Sequence, residues 1–290
     1  MINILITGAA GLLGQYLTKH HKSNANILCI DLAENPFPEL SNNIFIQADL
    51  TDFASLRKEI SDFKPELIYN CAAFSDVDGC ETNKDLAVKL NIDLVDNLIS
   101  IPHSKLIQYS SDYVFNGKNG PNTEDDQVDP LNHYGWTKMQ SEKLLEKSAR
   151  DFLIIRTNVL YGTGNNIRPN FISWVIDNLR RNQNIHVASD QFNNPTYAGN
   201  LVGASIEAAG KHSGIMHIGG SDYMSRYDVA VKTAEIFNLN SNLIGPINTA
   251  KLNQPASRPL KAGLRVDKAV GLLKTRLLRL EDGLRLAYKH

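Results

Sequence analysis

The sequence predicts an α/β fold, a Rossmann-type doubly wound parallel sheet with a smaller C-terminal substrate-binding lobe. Three observations support this prediction: short apolar runs alternate with helix-like segments through the first half of the chain, a glycine-rich turn follows the first run, and the alternation fades after about residue 171. Strands that alternate with helices favour a parallel sheet covered on both faces. We expect residues 1–160 to form a Rossmann domain and residues 161–290 to form mainly the lobe, with some segments returning to the first domain.

The individual elements follow from run length and periodicity. Apolar runs of about four to eight residues between turn signals are typical of buried strands, and longer segments with apolar residues three and four apart are typical of helices. In the first half, strands are predicted at 2–6, 26–31, 43–48, 67–71, 106–110 and 152–156, and helices at 12–20, 53–63, 86–101 and 135–149. In the second half, helices are predicted near 171–181, 198–209, 227–237 and 279–288.

Two long irregular stretches, 111–132 and 162–169, interrupt this pattern and are rich in asparagine and glycine. Loops that follow the carboxyl ends of parallel strands usually carry binding or catalytic residues. We therefore expect a functional site along these stretches.

The composition narrows the classes of function. The chain has 290 residues and a formal net charge of -1, with a pI near 6.7, so no basic surplus favours nucleic acid or an anionic membrane. No apolar run approaches the roughly 20 residues of a membrane span, and the chain opens directly into a strand-like run, so we expect a cytoplasmic protein without a signal peptide. Neither the spacing of Cys29, Cys71 and Cys80 nor any acidic cluster predicts a disulfide or a metal site.

The pattern Gly8-x-x-Gly11-x-x-Gly14 follows the first predicted strand and opens the first predicted helix. This context is typical of a dinucleotide-binding turn, in which glycines bring backbone N–H groups and a helix N-terminus close to a pyrophosphate. Asp31 ends the next predicted strand, where its carboxylate can accept hydrogen bonds from ribose hydroxyls and would repel a 2′-phosphate. We therefore expect NAD as the cofactor, with NADP as the alternative.

Tyr134 and Lys138 lie four positions apart in a predicted helix, so their side chains share one face. An ammonium beside a phenol favours the phenolate and lowers the pKa of the tyrosine, which suits proton transfer to and from a carbonyl group. Ser110 and Ser111 end the preceding strand, where a hydroxyl can donate to the same carbonyl oxygen. The order of glycine turn, strand-end serine and Tyr-x-x-x-Lys pair favours an oxidoreductase.

With these motifs the chain resembles the extended short-chain dehydrogenase/reductases, and among them the dTDP-4-dehydrorhamnose reductase family. The resemblance covers nearly the whole chain, and it is specific because it includes the segment 190–196 and Arg258-Pro259, which the broader superfamily lacks. The other motifs that carry it are Asp49-Leu50, Asn70-Cys71-Ala72-Ala73, Val77-Asp78, residues 109–115, residues 130–138, Arg156-Thr157, Leu264 and Lys268.

The resemblance implies roles for the matching residues. Ser111 would polarise the substrate carbonyl, Tyr134 would protonate it, and Lys138 would hold the nicotinamide ribose and tune Tyr134. The cofactor would be bound by Gly8, Ala10, Gly11, Leu12, Leu13, Gly14, Asp31, Asp49, Leu50, Cys71, Ala72, Ala73, Asn91, Tyr134 and Lys138. The substrate would be bound by Asp76, Val77, Asp112, Tyr113, Asn158, Gln191, Asn194, Pro195, Thr196 and Arg258, with the segment 190–196 and Arg258 at its diphosphate half.

The resemblance further implies NAD(P)H-dependent reduction of the C4 ketone of a nucleotide-linked 6-deoxy-hexulose, as in dTDP-L-rhamnose synthesis. The bound partner would be a nucleotide-diphosphate sugar, and the family allows a homodimer. One departure concerns the sugar: Val159 stands where the family usually has a tryptophan against the sugar ring.

Two alternatives stay open from the sequence. One is a related nucleotide-sugar epimerase or reductase; dehydration is disfavoured because Asp112 is followed by Tyr113 and not by glutamate. The other is a non-catalytic NAD(P)-binding regulatory subunit, like that of methionine adenosyltransferase. The intact set Ser111, Tyr134 and Lys138 favours an enzyme.

Overall fold

The structure is a computed structural model that describes residues 1–40 and 43–288. Its strands are β1 (Ile2–Thr7), β2 (Ala25–Asp31), β3 (Asn43–Gln47), β4 (Leu67–Asn70), β5 (Lys105–Ser111), β6 (Phe152–Thr157), β7 (Leu160–Tyr161), β8 (Ile185–Ala188), β9 (Phe192–Asn193), β10 (Thr196–Tyr197), β11 (Gly214–His217), β12 (Met224–Ser225) and β13 (Ile244–Ile247). Its α-helices are α1 (Leu12–His21), α2 (Phe53–Phe63), α3 (Val77–Thr82), α4 (Lys84–Val88), α5 (Leu94–Ile99), α6 (His133–Lys147), α7 (Phe171–Arg180), α8 (Ala198–Ala209), α9 (Arg226–Ile236), α10 (Asp267–Leu272) and α11 (Leu280–Ala287).

Seven strands form one parallel sheet in the order β11-β6-β5-β4-β1-β2-β3. The chain starts in β1, builds outward through β2 and β3, and then crosses back to place β4 on the other side of β1. The loops after β1 and β4 therefore diverge and leave a crevice at the carboxyl edge of the sheet. The predicted α/β fold with a Rossmann-type doubly wound parallel sheet is confirmed.

The central strands are apolar because both faces of the sheet are covered. Ile4 of β1 packs on one face with Leu17 of α1 and Leu201 of α8. The next residue, Leu5, packs on the other face with Ile60 of α2. Successive side chains of a strand point to opposite faces, so a strand covered twice forms a continuous apolar run.

The C-terminal half builds two further cores outside the sheet. One joins α7, α9 and α11 around Ile172, Val229 and Leu284, and the other joins α7 and α9 to β8 and β13 through Val175 and Ile185. Its strands form the two-stranded pairs β7-β10, β9-β12 and β8-β13, whereas β11 returns to the central sheet beside β6. The domain boundary at residue 160 stays a prediction.

The structure differs from the expected elements at one helix. The segment predicted as a single helix at 86–101 consists of α4 and α5 with a π-helical turn, Lys89–Asp93, between them. Such a turn inserts one residue and reorients side chains, which periodicity alone does not indicate. The short helices α3 and α10, the edge strand β11 of the central sheet and the two-stranded pairs were not predicted, because their runs are too short to show a period. None of the helices in the described ranges is long and apolar enough to cross a membrane.

Candidate active site

The turn after β1 requires glycine at two positions. Gly8 has a φ of 67°, in the left-handed region, and a Cβ there would lie 2.5 Å from the backbone nitrogen of Ala72. A Cβ on Gly14 would lie 2.3 Å from the carbonyl oxygen of Gly8. The first glycine therefore permits the turn, and the last one lets α1 pack directly on it.

The N-terminus of α1 faces the crevice. The helix begins at Leu12 after Gly11, and no side chain of the described residues caps it. Backbone N–H groups in the first turn of a helix have no intrahelical partner, and with the helix dipole they favour a bound phosphate. The turn therefore fits the pyrophosphate of a nicotinamide dinucleotide.

Asp31, at the end of β2, is fixed beside this turn. Its Oδ2 accepts a hydrogen bond from the backbone N–H of Ala10 at 2.9 Å, and its Oδ1 accepts one from Ala33 at 2.9 Å. Ala10 does not itself line the cavity, and its backbone N–H only holds the carboxylate of Asp31 in place. Asp49 and Leu50, which follow β3, border the same end.

A cavity of about 740 Å³ runs along the carboxyl edge of the sheet from the glycine turn to α6. This volume lies in the range of cofactor and small-molecule sites. The sequence-predicted residues that line it are Gly8, Gly11, Leu12, Leu13, Gly14, Asp31, Asp49, Leu50, Cys71, Ala72, Ala73, Val77, Ser111, Asp112, Tyr113, Tyr134, Lys138 and Asn158.

The three residues predicted to be catalytic all line this cavity. Ser111 ends β5, while Tyr134 and Lys138 lie one turn apart on α6. The helix approaches the segment after β5 so closely that a Cβ on Gly135 would lie 2.1 Å from the carbonyl oxygen of Tyr113. This packing brings the phenol of Tyr134 against the hydroxyl of Ser111.

The sequence analysis expected the ammonium of Lys138 to lower the pKa of Tyr134, and the structure gives a different result. Burial raises the pKa of Tyr134, and the hydroxyl of Ser111 opposes that rise. Burial also lowers the pKa of Lys138 to about 8, although the carboxylate of Glu142 acts in the opposite direction. Lys138 therefore does not bring the pKa of Tyr134 toward neutrality here, because both groups are withdrawn from water and desolvation disfavours their charged forms.

A buried ion pair lies behind the catalytic strand. Glu142 of α6 accepts hydrogen bonds from Nε and Nη2 of Arg156 on β6, at 3.0 and 2.8 Å, and from the hydroxyl of Ser110. All three side chains are buried. The pair ties α6 to β5 and β6, and so fixes Lys138 relative to Ser111.

Asp112, predicted to border the sugar, is only 2% exposed. Its Oδ1 accepts a hydrogen bond from the hydroxyl of Ser111 at 3.0 Å, whereas its Oδ2 has no partner among the described residues. Burial raises the pKa of Asp112 to about 7, and the opposing influences include Ser111, Asn158 and Arg226. One carboxyl oxygen is thus free beside the catalytic hydroxyl.

Two more of the predicted residues do not line the cavity: Asn91 is buried, and Asp76 is exposed. Asn91 accepts a hydrogen bond from the backbone N–H of Phe74 at 2.8 Å and donates to the hydroxyl of Thr137 at 2.9 Å. It therefore anchors the segment after β4 to α6. Asp76 caps α3 by accepting a hydrogen bond from the N–H of Gly79 at 3.0 Å.

The segment 190–196 does not line the cavity either. Asn194 accepts a hydrogen bond from the backbone N–H of Leu264 at 2.8 Å and donates to the carbonyl of Gly220 at 3.0 Å. Gln191 donates to Thr249 at 3.1 Å. The other two predicted residues of this segment, Pro195 and Thr196, also contact Gly220. The N–H of Gly220 donates to the hydroxyl of Thr196 at 3.0 Å, and a Cβ on Gly220 would lie 2.0 Å from the carbonyl oxygen of Pro195.

Arg258 is held by a neighbouring carboxylate. Its Nη2 lies 2.8 Å from Oδ2 of Asp78, and its Nη1 donates to the carbonyl of Ala256 at 2.9 Å. The side chain is 9% exposed and is not part of the cavity lining.

The structure also brings to the cavity residues that the sequence analysis missed, chiefly Arg226, Phe171 and Asn170. Arg226 begins α9, and its guanidinium lies 5.1 Å from the centre of the Phe171 ring. The N-cap Ser225, which accepts from the N–H of Asp228 at 3.0 Å, was a local signal for a helix start. No local signal indicated that this start faces the cavity.

Cysteine and metal chemistry receive no support from the described part of the chain. No group of three or more His, Cys, Asp or Glu side chains there could hold a metal ion. Cys29, Cys71 and Cys80 are free thiols, and burial raises the pKa of each.

Comparison with known proteins places this geometry in a family. The model of the RmlD substrate binding domain matches residues 2–290. The probable low-salt glycan biosynthesis reductase Agl14 of Haloferax volcanii is 29% identical over 287 residues, covering 96% of this chain and 95% of that protein. Methionine adenosyltransferase 2 subunit beta of Bos taurus is 32% identical over 273 residues, covering 90% and 79%.

Solved structures of similar proteins support the same family. A dTDP-4-dehydrorhamnose reductase of Clostridium acetobutylicum has a TM-score of 0.86 at 29% identity, covering 99% of this chain and 98% of that one. The dTDP-4-dehydrorhamnose reductase of Bacillus anthracis, in complex with NADP, has a TM-score of 0.84 at 26% identity, covering 99% of both chains. The predicted family resemblance is confirmed: the chain belongs to the RmlD substrate binding domain family, with the fold of the dTDP-4-dehydrorhamnose reductases.

Proposed function

We propose that this protein is an NAD(P)H-dependent reductase of the C4 ketone of a nucleotide-linked 6-deoxy-hexulose, in the manner of dTDP-4-dehydrorhamnose reductase. The observation that carries the proposal is that Ser111, Tyr134 and Lys138 line the same cavity as the glycine turn, which fits a dinucleotide pyrophosphate. The similarity to the reductases of Clostridium acetobutylicum and Bacillus anthracis supports the substrate class.

Tyr134 is the proton donor in this proposal. Because burial raises its pKa, the phenol keeps its proton at neutral pH and can act as a general acid toward the substrate carbonyl oxygen. In this proposal the hydroxyl of Ser111 turns away from Asp112, to which it donates at 3.0 Å in the structure, and donates a hydrogen bond to the same oxygen. The bound dinucleotide supplies the hydride.

Lys138 has two roles. It holds the nicotinamide ribose, and its ammonium stabilises the tyrosinate that remains after proton transfer. The ion pair of Glu142 and Arg156 holds α6 in place for both. Among the described residues that line the cavity, none but Lys138 and Arg226 carries a positive side chain.

The preferred cofactor is NADH. The carboxylate of Asp31 is held by two backbone N–H groups at the adenosine end, where it suits ribose hydroxyls and repels a 2′-phosphate. The Bacillus anthracis relative was crystallised with NADP, so we keep NADPH as the alternative. A cytoplasmic location and a homodimer stay predictions.

A non-catalytic regulatory subunit is the second candidate, and the similarity to methionine adenosyltransferase 2 subunit beta favours it. Such a subunit needs a folded surface for its partner but no proton donor. The half-buried Tyr134 beside Ser111 and the buried Lys138 one helical turn away support the enzyme instead.

Turnover separates the two candidates. The purified chain is given NADH or NADPH with dTDP-, UDP- and GDP-linked 4-keto-6-deoxy-hexoses, and cofactor oxidation and the sugar product are measured. Tyr134→Phe removes the acid and keeps the ring, so reduction should fall by roughly 10²–10⁴-fold with cofactor affinity nearly unchanged. Wild-type protein that binds the cofactor but reduces none of these sugars would overturn the proposal.

A further inference from the structure

The cavity contains few positive charges for a substrate that carries a diphosphate. Of the described lining residues, only Lys138 and Arg226 are cationic. Lys138 is buried beside Tyr134 at the reacting end, where its charge serves the carbonyl. A second diphosphate, separate from the one at the glycine turn, therefore needs Arg226.

Arg226 is held in a position to bind such a group. Its backbone N–H donates to the carbonyl of Gln191 at 2.9 Å, which fixes the start of α9. Its guanidinium lies over the ring of Phe171, 5.1 Å from the centre. Stacking on an aromatic ring orients the planar fork and leaves its edge free for hydrogen bonds.

One N–H group of the guanidinium is not hydrogen-bonded to any of the described residues. Its Nε is buried and has no hydrogen-bond partner among the described residues. The guanidinium also lies close to Asp112 and Tyr113: its positive charge opposes the rise in the pKa of both that burial causes, and it is hydrogen-bonded to the side chain of Tyr113. A buried unpaired donor is costly, so the guanidinium is not fully satisfied in this position.

Arg258 offers a contrast. Its charge is matched by Asp78 at 2.8 Å and its Nη1 by the carbonyl of Ala256. To bind substrate it would have to leave this ion pair, in which the Arg258 side chain is 9% exposed and that of Asp78 is 36% exposed. Arg226 loses no ion pair when it binds an anion.

We infer that Arg226 binds the diphosphate of the nucleotide-sugar substrate by a bidentate, charge-assisted contact, and thereby sets the distance between the nucleotide and the sugar at Ser111 and Tyr134. This inference rests on the proposed function and adds to it the residue that recognises the nucleotide. Phosphate oxygens match the planar fork of arginine.

The test is a calorimetric titration of NAD-loaded protein with dTDP, dTMP and thymidine. Arg226→Met should weaken dTDP binding by about 10- to 100-fold, dTMP binding by less, and thymidine binding hardly at all. Arg226→Lys should recover part of the loss, because an ammonium keeps the charge and loses the fork. Arg285→Met on α11, where the arginine side chain is 63% exposed, controls for the loss of one positive charge.

The pattern of losses across the ligands and variants decides the inference. A selective loss for dTDP in Arg226→Met, with normal cofactor affinity, supports it. An equal loss for thymidine, or a loss of dTDP affinity in Arg258→Met that matches or exceeds that in Arg226→Met, overturns it. If wild-type protein binds dTDP and reduces no ketosugar, the proposed function fails while the variants still decide the contact.

Discussion

Alkaline pH should switch the proposed reductase off through Lys138. Burial lowers the pKa of this ammonium to about 8, so roughly nine-tenths of it is charged at pH 7 and roughly one-tenth at pH 9. Its thiol neighbours do not interfere, since burial raises the pKa of Cys80 to about 11 and that of Cys71 further still. We expect kcat/KM for reduction to fall about tenfold per pH unit above pH 8.

Glu142 provides the structural check on this assignment. Its carboxylate raises the pKa of Lys138, so replacing it with glutamine should move the alkaline fall to lower pH. Glu142→Gln alone also leaves Arg156 as an unpaired buried charge, which costs about 3–5 kcal/mol. The double variant Glu142→Gln with Arg156→Met removes both charges and keeps the fold testable.

The measurement is the pH profile of kcat/KM for reduction, with the cofactor Kd determined at each pH. The Kd separates loss of the ribose contact from loss of proton transfer. A profile that stays flat to about pH 10, or an alkaline fall that does not move in a folded double variant, would refute the role of Lys138.

Two further predictions concern the carboxylates. The pKa of Asp112 rises from 3.8 to about 7 on burial, so its contribution to stability is present below about pH 4 and is lost as the pH rises through 7. Asp112→Asn should therefore stabilise the protein by at least about 1 kcal/mol at pH 8, which corresponds to a Tm gain of about 2–4 °C. At about pH 4 it should give no gain. An equal gain at both pH values in thermal unfolding would show that packing, and not charge, causes the effect. Asp31→Asn should reduce the preference for NADH over NADPH by about tenfold to a hundredfold. Calorimetric titration of wild type and variant with both cofactors measures this preference. Wild-type protein that binds NADPH more tightly than NADH would contradict the assignment of Asp31.

Local sequence rules predicted the sheet and the glycine turn because both are decided locally. The strands of the sheet are apolar runs bounded by turns, and Gly8 is required by its own φ and by the backbone next to it. The alignment of Tyr134 with Lys138 follows from helix geometry, and the place of Ser111 follows from the end of β5.

Local sequence rules could not predict the features that depend on tertiary packing. Arg226 reaches the cavity only because α9 packs on α7 and thereby sets its guanidinium over Phe171. The direction of the pKa change in Tyr134 depends on burial, which the spacing of two residues does not report. The polar residues at 191, 194 and 196 bond to neighbouring loops, and their expected contact with substrate stays a prediction.

The arrangement of charges bears on the choice between an enzyme and a regulatory subunit. Burying Lys138 and Asp112 shifts both pKa values against their charged forms, so each group lowers the stability of the folded protein at neutral pH. A subunit that only binds a partner would gain stability from Met and Asn at these places. Costly polar groups that converge on one cavity beside Ser111 and Tyr134 are typical of sites where chemistry takes place. The balance of stability and geometry therefore favours a reductase, and it predicts that the most stabilising substitutions in this cavity are also the ones that abolish turnover.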